Sequence, residues 1–237
     1  MLTINVLVLP FTMDGIFMRK NMMLEVQGGI VLIVVDMQRD FLDASGYVDS
    51  AGVDFERLRL IIPNVIKLIS IARDNRILIV FTREGHRENM LDCAPSKYAR
   101  SKRSGAPIGS GSPLGLHLIR GSYGHDLIDE IEPIDNEIII DKVAYSAFYQ
   151  TELNHILTNN GINNVLICGV TTEVCVHSTL RSAIDIGYSC WTISDACEAG
   201  TEYLHKAAIE MIKSEGGIFG SVITTNEAVK LIQSAQR

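Results

Sequence analysis

The chain alternates short runs rich in Val and Ile with longer segments in which apolar residues recur every three or four positions. The short runs predict strands buried on both faces of a parallel sheet, and the longer segments predict helices. Because strand and helix alternate, we expect a single three-layer α/β domain, doubly wound around a mainly parallel sheet. The predicted strands cover 30–36, 76–82, 137–142, 164–170 and 188–194, and the predicted helices cover 55–74, 151–160, 173–186 and 202–214.

Two segments fall outside this alternation. Residues 1–29 are apolar at first but lack a basic segment and a cleavage site, so we interpret them as an N-terminal arm before a domain spanning 30–237. Segment 83–123 contains many Gly, Ser and Pro residues, and a loop of that length within a domain is usually a lid or a binding loop. We interpret its basic run, 97–103, as a solvated loop.

Composition and charge exclude several classes of protein. The net charge of -7, with acidic and basic residues interspersed, predicts no nucleic-acid partner. Five cysteines without a C-x-x-C pair are typical of a reducing compartment. No apolar run approaches the roughly 18 residues of a membrane span. We therefore expect a cytoplasmic protein without a membrane partner.

Reactive side chains stand where several predicted strands end. Ligands of open parallel sheets bind beyond the carboxyl ends of the strands. Asp36, Lys142 and the segment 169–175 occupy such ends. Asp36, partly desolvated, would have a raised pKa suited to proton transfer, but it could equally be a helix cap or a metal ligand. Lys142 could equally be a surface lysine.

Cys175 lies near the start of the predicted helix that follows the strand NVLICGV. The partial positive charge of a helix start lowers the pKa of a thiol and raises the fraction of thiolate. The backbone N–H groups there could also bind an oxyanion. A buried cysteine that acts as a small hydrophobe is the alternative for this position, and Cys168 and Cys190 fit that alternative well.

Three segments resemble the motif blocks of the isochorismatase-like cysteine hydrolases: VVDMQRDF, IIIDKVAYSAFY and CGVTTEVCVHSTLRSAIDIGY. The resemblance implies that residues 30–237 form an isochorismatase-like hydrolase domain with Asp36, Lys142 and Cys175 as its catalytic triad. It also implies a cis peptide between Val170 and Thr171. The N–H groups of Thr171 and Cys175 would bind the oxyanion.

A finer resemblance, through GYVD, TREGHR and SPLG, is to hydrolases of the biuret and triuret type. At Glu215 such relatives have Gln, and an ionised Glu only accepts hydrogen bonds, so a contact there would favour a donor-rich ureide. Glu215 could equally cap a helix, and each candidate charge could equally be a solvated loop residue. The candidate substrate-binding residues are Phe41, Arg83, Glu84, His86, Arg87, Arg120, Phe148 and Glu215.

The resemblance implies a cysteine-dependent amidohydrolase that releases ammonia from a small linear ureide through a thioester. The ureide would be biuret, triuret, guanylurea or a similar N-carbamoyl compound. No cofactor or metal is implied, because TREGHREN lacks the D-x-H metal motif of nicotinamidases. Relatives are commonly homodimers or homotetramers, so we expect an oligomer. A nicotinamidase or isochorismatase-like activity, and a catalytically silent binding protein, are the alternatives.

Overall fold

The computed structural model describes residues 28–235, so the predicted arm at 1–29 lies almost wholly outside the described residues. Six of the described strands form one sheet in the order β5-β2-β1-β6-β7-β8, while β3 and β4 form a separate hairpin. The strands are β1 Gly29–Val35, β2 Leu78–Glu84, β3 Gly111–Ser112, β4 Gly115–Leu116, β5 Ile138–Lys142, β6 Ile162–Val170, β7 Ser189–Glu198 and β8 Ser221–Ile223.

Every pair of neighbours in the six-stranded sheet is parallel, which confirms the predicted doubly wound α/β class. The sheet grows outward in both directions from β1 and β6, which pair along their whole length. Residues 30–35 of β1 are all buried because helices cover both faces of the sheet. The carboxyl ends of β1, β2, β5 and β6 therefore meet at one edge.

Helices α4 and α9 pack against each other and against the sheet on one face, and α6, α7 and α8 pack against β6, β7 and β8. The helices are α1 Arg39–Leu42, α2 Tyr47–Ser50, α3 Phe55–Arg59, α4 Ile62–Asp74, α5 Pro95–Arg103, α6 Leu153–Asn159, α7 His177–Ile186, α8 Glu202–Gly217 and α9 Thr225–Ser234. Within residues 28–235, no helix is both long enough and apolar enough to cross a membrane.

The structure differs from the predicted elements in several places. The helix predicted over 55–74 is two helices, because Pro63 stands in the first turn of α4 and lacks the N–H that a continuous helix needs. Segment 83–123 includes α5, so its basic run is helical rather than a loop. Strand β8 and helix α9 were not predicted, although Thr224 and Glu227 form a capping box at the start of α9.

The two central strands approach most closely at Gly169, near the end of β6. Its φ is +113°, and a Cβ atom added there would lie 2.2 Å from the carbonyl oxygen of Val35. Real Cβ atoms do not approach backbone oxygens so closely, so only glycine allows this contact. Asp36 follows Val35 directly, and the close approach therefore also sets the position of a candidate catalytic residue.

We expect Gly169→Ala to destabilise the protein by roughly 3–5 kcal/mol, the sum of an unfavourable φ and a backbone clash. Chemical denaturation would measure the change in the free energy of unfolding. Gly187→Ala is the matched control, because Gly187 has a φ of +107° but nothing within 4 Å of an added Cβ. The control should lose only about 1–2 kcal/mol. Equal losses in the two variants would contradict the close-approach explanation.

Candidate active site

Four side chains converge beyond the carboxyl ends of four neighbouring strands. Asp36 directly follows β1, Glu84 ends β2 and Lys142 ends β5. Cys175 lies in the π-helical turn Thr172–Val176, which connects β6 to α7. All four side chains are buried. The three residues that the sequence predicts at this edge, Asp36, Lys142 and Cys175, therefore form a single cluster. Glu84 is its fourth member.

The ammonium group of Lys142 lies at the centre of this cluster. Its Nζ atom lies 2.8 Å from Asp36 Oδ2 and 3.0 Å from Glu84 Oε2. It also donates to the carbonyl oxygen of Ala144 at 3.0 Å and to Cys175 Sγ at 3.5 Å. Burial alone would lower the pKa of Lys142, but the charges of Asp36 and Glu84 raise it. The group therefore stays charged and holds the two carboxylates beside the thiol.

Asp36 is held in an unusual backbone conformation by Thr82 on the neighbouring strand β2. Its φ is +49°, a left-handed conformation that non-glycine residues seldom adopt and that clusters at functional sites. The backbone N–H of Asp36 donates to Thr82 Oγ1 at 3.1 Å, and this hydroxyl donates back to Asp36 Oδ1 at 2.6 Å. The second oxygen, Oδ2, is thereby oriented toward Lys142.

Glu84 forms an ion pair with a second cation, which Asp36 does not. Its Oε1 atom lies 2.7 Å from the Nζ of Lys97, which reaches into the cluster from α5 and is only 6% exposed. Lys97 also donates to the carbonyl oxygen of Val143 at 2.7 Å. The buried charges therefore balance as two carboxylates and two ammonium groups, an arrangement that burial requires.

This asymmetry separates the pKa values of the two carboxyl groups. Burial raises the pKa of Asp36, Glu84 raises it further, and Lys142 only partly opposes this. Burial alone would also raise the pKa of Glu84, but Lys142 and Lys97 together lower it to about 2. Neighbouring carboxyl groups with separated pKa values are typical of a proton-transfer site. Asp36 is the better proton acceptor, and Glu84 stays ionised.

The thiol of Cys175 is protonated in this arrangement, which corrects the prediction that the helix start would lower its pKa. Burial raises the pKa of Cys175 well above its usual value, and the charges of Asp36 and Glu84 add to this effect. Lys142 opposes them but does not offset the loss of water. The thiol donates to Glu84 Oε2 at 3.2 Å. A base must therefore remove its proton before it can attack.

The turn that carries Cys175 borders a cavity of about 290 Å³. The peptide between Val170 and Thr171 is cis, as the resemblance implied, and both Thr171 and Cys175 line the cavity. Most of the wall is apolar, but charged and hydroxyl groups also line it. The other lining residues are Phe41, Tyr47, Val48, Val53, Glu84, Lys97, Arg100, Ser101, Ser104, Ile108, Tyr145, Glu173 and Val174.

Comparison with known proteins identifies the family of this chain. Residues 31–227 match the isochorismatase domain. The chain belongs to the isochorismatase family. It is also 32% identical over 210 residues to the ureidoacrylate amidohydrolase RutB of Acinetobacter baylyi, covering 87% of this chain and 84% of that protein. The predicted family is confirmed, and so is the predicted enzyme class, a hydrolase of carbon–nitrogen bonds in linear amides.

Solved structures of the isochorismatase family have the same architecture. A cysteine hydrolase from Pseudomonas syringae pv. phaseolicola superposes with a TM-score of 0.73 at 24% identity, covering 87% of this chain and 93% of that one. A pyrazinamidase from Pyrococcus horikoshii, solved in complex with zinc, has a TM-score of 0.63 at 29% identity, covering 82% of this chain and 98% of that one.

Two of the candidate substrate-binding residues, Phe41 and Glu84, line the cavity. Arg83 instead pairs with Asp141 and with Asp126, each at 2.8 Å, outside the cavity. It is therefore a structural ion-pair residue in this arrangement.

The other five candidates also lie away from the cavity wall. His86 is fully buried, with its Nδ1 atom 3.5 Å from Asp92, and burial lowers its pKa. Arg87 and Arg120 border a neighbouring surface depression, which meets the cavity at Lys97, Arg100 and Tyr145. Phe148 packs on Tyr188, and Glu215 is exposed where α8 ends with left-handed backbone. The sequence predicts these residues at the site because they follow strand ends or lie in segments that resemble family motifs.

Sequence reasoning missed the face that α5 presents to the cavity. Lys97, Arg100, Ser101 and Ser104 all line it, and their spacing of three and four residues is that of one helix face. The basic run was interpreted as a solvated loop because it has few apolar residues. The spacing of its polar residues, three and four positions apart, was the signal that could have predicted a helix with one polar face.

Asp36, Glu84 and Cys175 each offer an atom within 4.8 Å of the others, and they are the metal-binding candidates among residues 28–235. The ammonium of Lys142 already contacts all three. A metal ion would have to displace this buried cation, so the set does not suit a metal.

We expect alkylation of Cys175 by iodoacetamide to be slow at neutral pH and to keep accelerating beyond the usual thiol pKa of about 8.5, because only the thiolate reacts and burial raises the pKa of Cys175. Mass spectrometry of the labelled peptide would give the rate at each pH. Cys93, which is partly exposed, can be replaced by Ser to remove background labelling. A rate that is already maximal at pH 7 would contradict the raised pKa of Cys175.

Proposed function

We propose that the protein is a cysteine-dependent amidohydrolase that releases ammonia from a small linear ureide, an N-carbamoyl compound. The observation that carries this proposal is the position of Glu84, an ionised carboxylate 3.2 Å from the nucleophilic sulfur of Cys175. A carboxylate can only accept hydrogen bonds. When the thiol loses its proton, Glu84 keeps its contacts with Lys142 and Lys97 but loses one donor, and an N–H group of a bound substrate can take the place of that donor.

A ureide meets this requirement because its carbonyl carbon carries nitrogen on both sides. One nitrogen leaves as ammonia, and the N–H of the other can donate to Glu84 while the carbonyl lies at Cys175. An aromatic amide has a carbon atom in place of the second nitrogen and therefore lacks the N–H that would donate to Glu84, so it makes one charge-assisted hydrogen bond fewer. The similarity to a ureidoacrylate amidohydrolase also supports a ureide substrate.

In the first half of the reaction, Asp36 accepts the proton of Cys175 and the sulfur attacks the carbonyl carbon. Lys142 stabilises the anionic sulfur, and the N–H groups of Thr171 and Cys175 bind the oxyanion. Asp36 then gives the proton to the departing nitrogen. The carbon–nitrogen bond breaks, ammonia leaves, and the acyl group stays on sulfur as a thioester.

In the second half, Asp36 accepts a proton from water and the hydroxide attacks the thioester. The carbon–sulfur bond breaks, and the proton returns from Asp36 to the thiolate of Cys175. Lys142 is charged throughout and never transfers a proton. The cluster therefore returns to its starting protonation state. Asp36 gains and loses a proton in each half of the reaction, and Glu84 stays ionised.

A nicotinamidase-like activity is the second candidate, favoured by the similarity to the zinc-bound pyrazinamidase. The donor set at this site favours the ureide, because within the described part of the chain the candidate metal ligands include no histidine. Assembly into a homodimer or homotetramer stays a prediction.

We expect the enzyme to release ammonia from biuret or from an N-carbamoyl amine or acid faster than from nicotinamide. Cys175→Ala should lower turnover at least about 1,000-fold, because it removes the nucleophile. A coupled ammonia assay would measure both. Cys168→Ala is the control, since Cys168 is a buried cysteine within β6 that takes no part in the site. Substantial turnover by Cys175→Ala, or a preference for nicotinamide, would refute the proposal.

We also expect kcat/KM to fall as the pH drops through the raised pKa of Asp36, because only the ionised carboxylate can accept the thiol proton. The midpoint should lie above the usual pKa of Asp, about 3.9. Lys97→Met removes a cation from the cluster and should move the midpoint to higher pH, while Lys97→Arg should restore it. Lys102→Met, on the exposed side of α5, serves as the control. An unchanged midpoint in Lys97→Met would show that Lys97 does not tune the cluster.

A further inference from the structure

We propose that Arg100 binds a carboxylate of the substrate, so that the preferred ureide is a ureido acid rather than a neutral ureide such as biuret. This inference rests on the proposed function and specifies its substrate class. Arg100 stands one helical turn from Lys97 on the face of α5 that lines the cavity. A planar guanidinium suits a carboxylate because it can donate two parallel hydrogen bonds.

Arg100 is exposed to solvent at the edge of the cavity, and its charge has no ion-pair partner among the described residues. Within residues 28–235, no carboxylate lies at ion-pair distance from its guanidinium. The side chain contacts Tyr145, whose hydroxyl accepts from Nε at 3.4 Å, and its Cζ atom lies 6.0 Å from the centroid of the Tyr145 ring. Tyr145 therefore orients the guanidinium at the cavity wall and leaves the terminal nitrogens available to a ligand.

The other charged residues of the cavity wall determine which way the substrate is oriented. Lys97 is already paired with Glu84, so it is neutralised before substrate arrives. Glu173 lies on the turn that carries Cys175, and its Oε2 atom has no hydrogen-bond partner in the described structure. A carboxylate beside Glu173 would be repelled, whereas one beside Arg100 would be attracted. The anionic end must therefore face α5, and the ureido end must face Cys175.

The cavity limits the size of the acid. Its volume of about 290 Å³ is near the lower end of the range for small-molecule sites, roughly 300–1,000 Å³. Its apolar residues, among them Phe41, Val53 and Ile108, can contact a short carbon chain between the two polar ends. A ureido group separated from a carboxylate by a few carbons matches this distribution of charge and apolar surface.

Binding to Cys175→Ala tests the inference without turnover. Isothermal titration calorimetry would compare ureidopropionate with ureidopropanol, which has the same chain but no charge. We expect the acid to bind about 10- to 100-fold more tightly, the range of a charge-assisted hydrogen bond. Adding Arg100→Met should remove this difference. Adding Arg103→Met should preserve it, because Arg103 is exposed like Arg100 on the same helix but does not line the cavity.

Turnover of both compounds by the wild-type enzyme separates this inference from the proposed function. The expected result is that Arg100→Met raises KM for ureidopropionate with little change in kcat and leaves ureidopropanol unaffected. Equal binding of the two compounds by Cys175→Ala, no binding of either, or equal losses in Arg100→Met and Arg103→Met would overturn the role of Arg100. Selective binding of the acid without ammonia release would refute the proposed function and support the carboxylate site.

Discussion

The candidate site depends on one buried cation, Lys142, which contacts two carboxylates and a thiol at once. Without it, Asp36 and Glu84 would be neighbouring negative charges in a medium that screens them poorly. With it alone, the cluster would still carry one negative charge too many, and Lys97 supplies the second cation. The fold can bury this cluster because four adjacent parallel strands end at the same edge and each contributes one member or its connecting turn.

The unequal distribution of the two lysines divides the chemistry between the two carboxyl groups. Asp36 contacts one ammonium group, and Glu84 contacts two. Asp36 consequently keeps a raised pKa and can accept and return a proton, whereas Glu84 remains an acceptor of hydrogen bonds. Burial raises the pKa of Cys175, so its thiol stays protonated until a base accepts the proton.

The elements that local patterns describe well were predicted well. The long apolar runs of β1 and β6, and the helical spacing of α4 and α7, are signals within one segment, and the structure confirms them. The three-residue strand β8 has too few residues for a pattern. Helix α9 has two local signals, the capping box of Thr224 and Glu227 and the helical spacing of its buried residues. Of the candidate site residues, those at strand ends converge, but Arg83 and His86 occupy the same region and find partners elsewhere.

The sequence by itself determined the α/β class through local periodicity, and it determined the candidate triad of Asp36, Lys142 and Cys175 through residues at strand ends and through motifs that resemble those of the family. Only the tertiary structure showed that Lys97 and Arg100 of α5 face the cavity, that Glu84 is in the cluster and that the thiol is protonated. The reason is physical: a pKa and a charge balance are properties of groups brought together through space and removed from water, and residues 36, 84, 97, 142 and 175 meet only when the chain has folded.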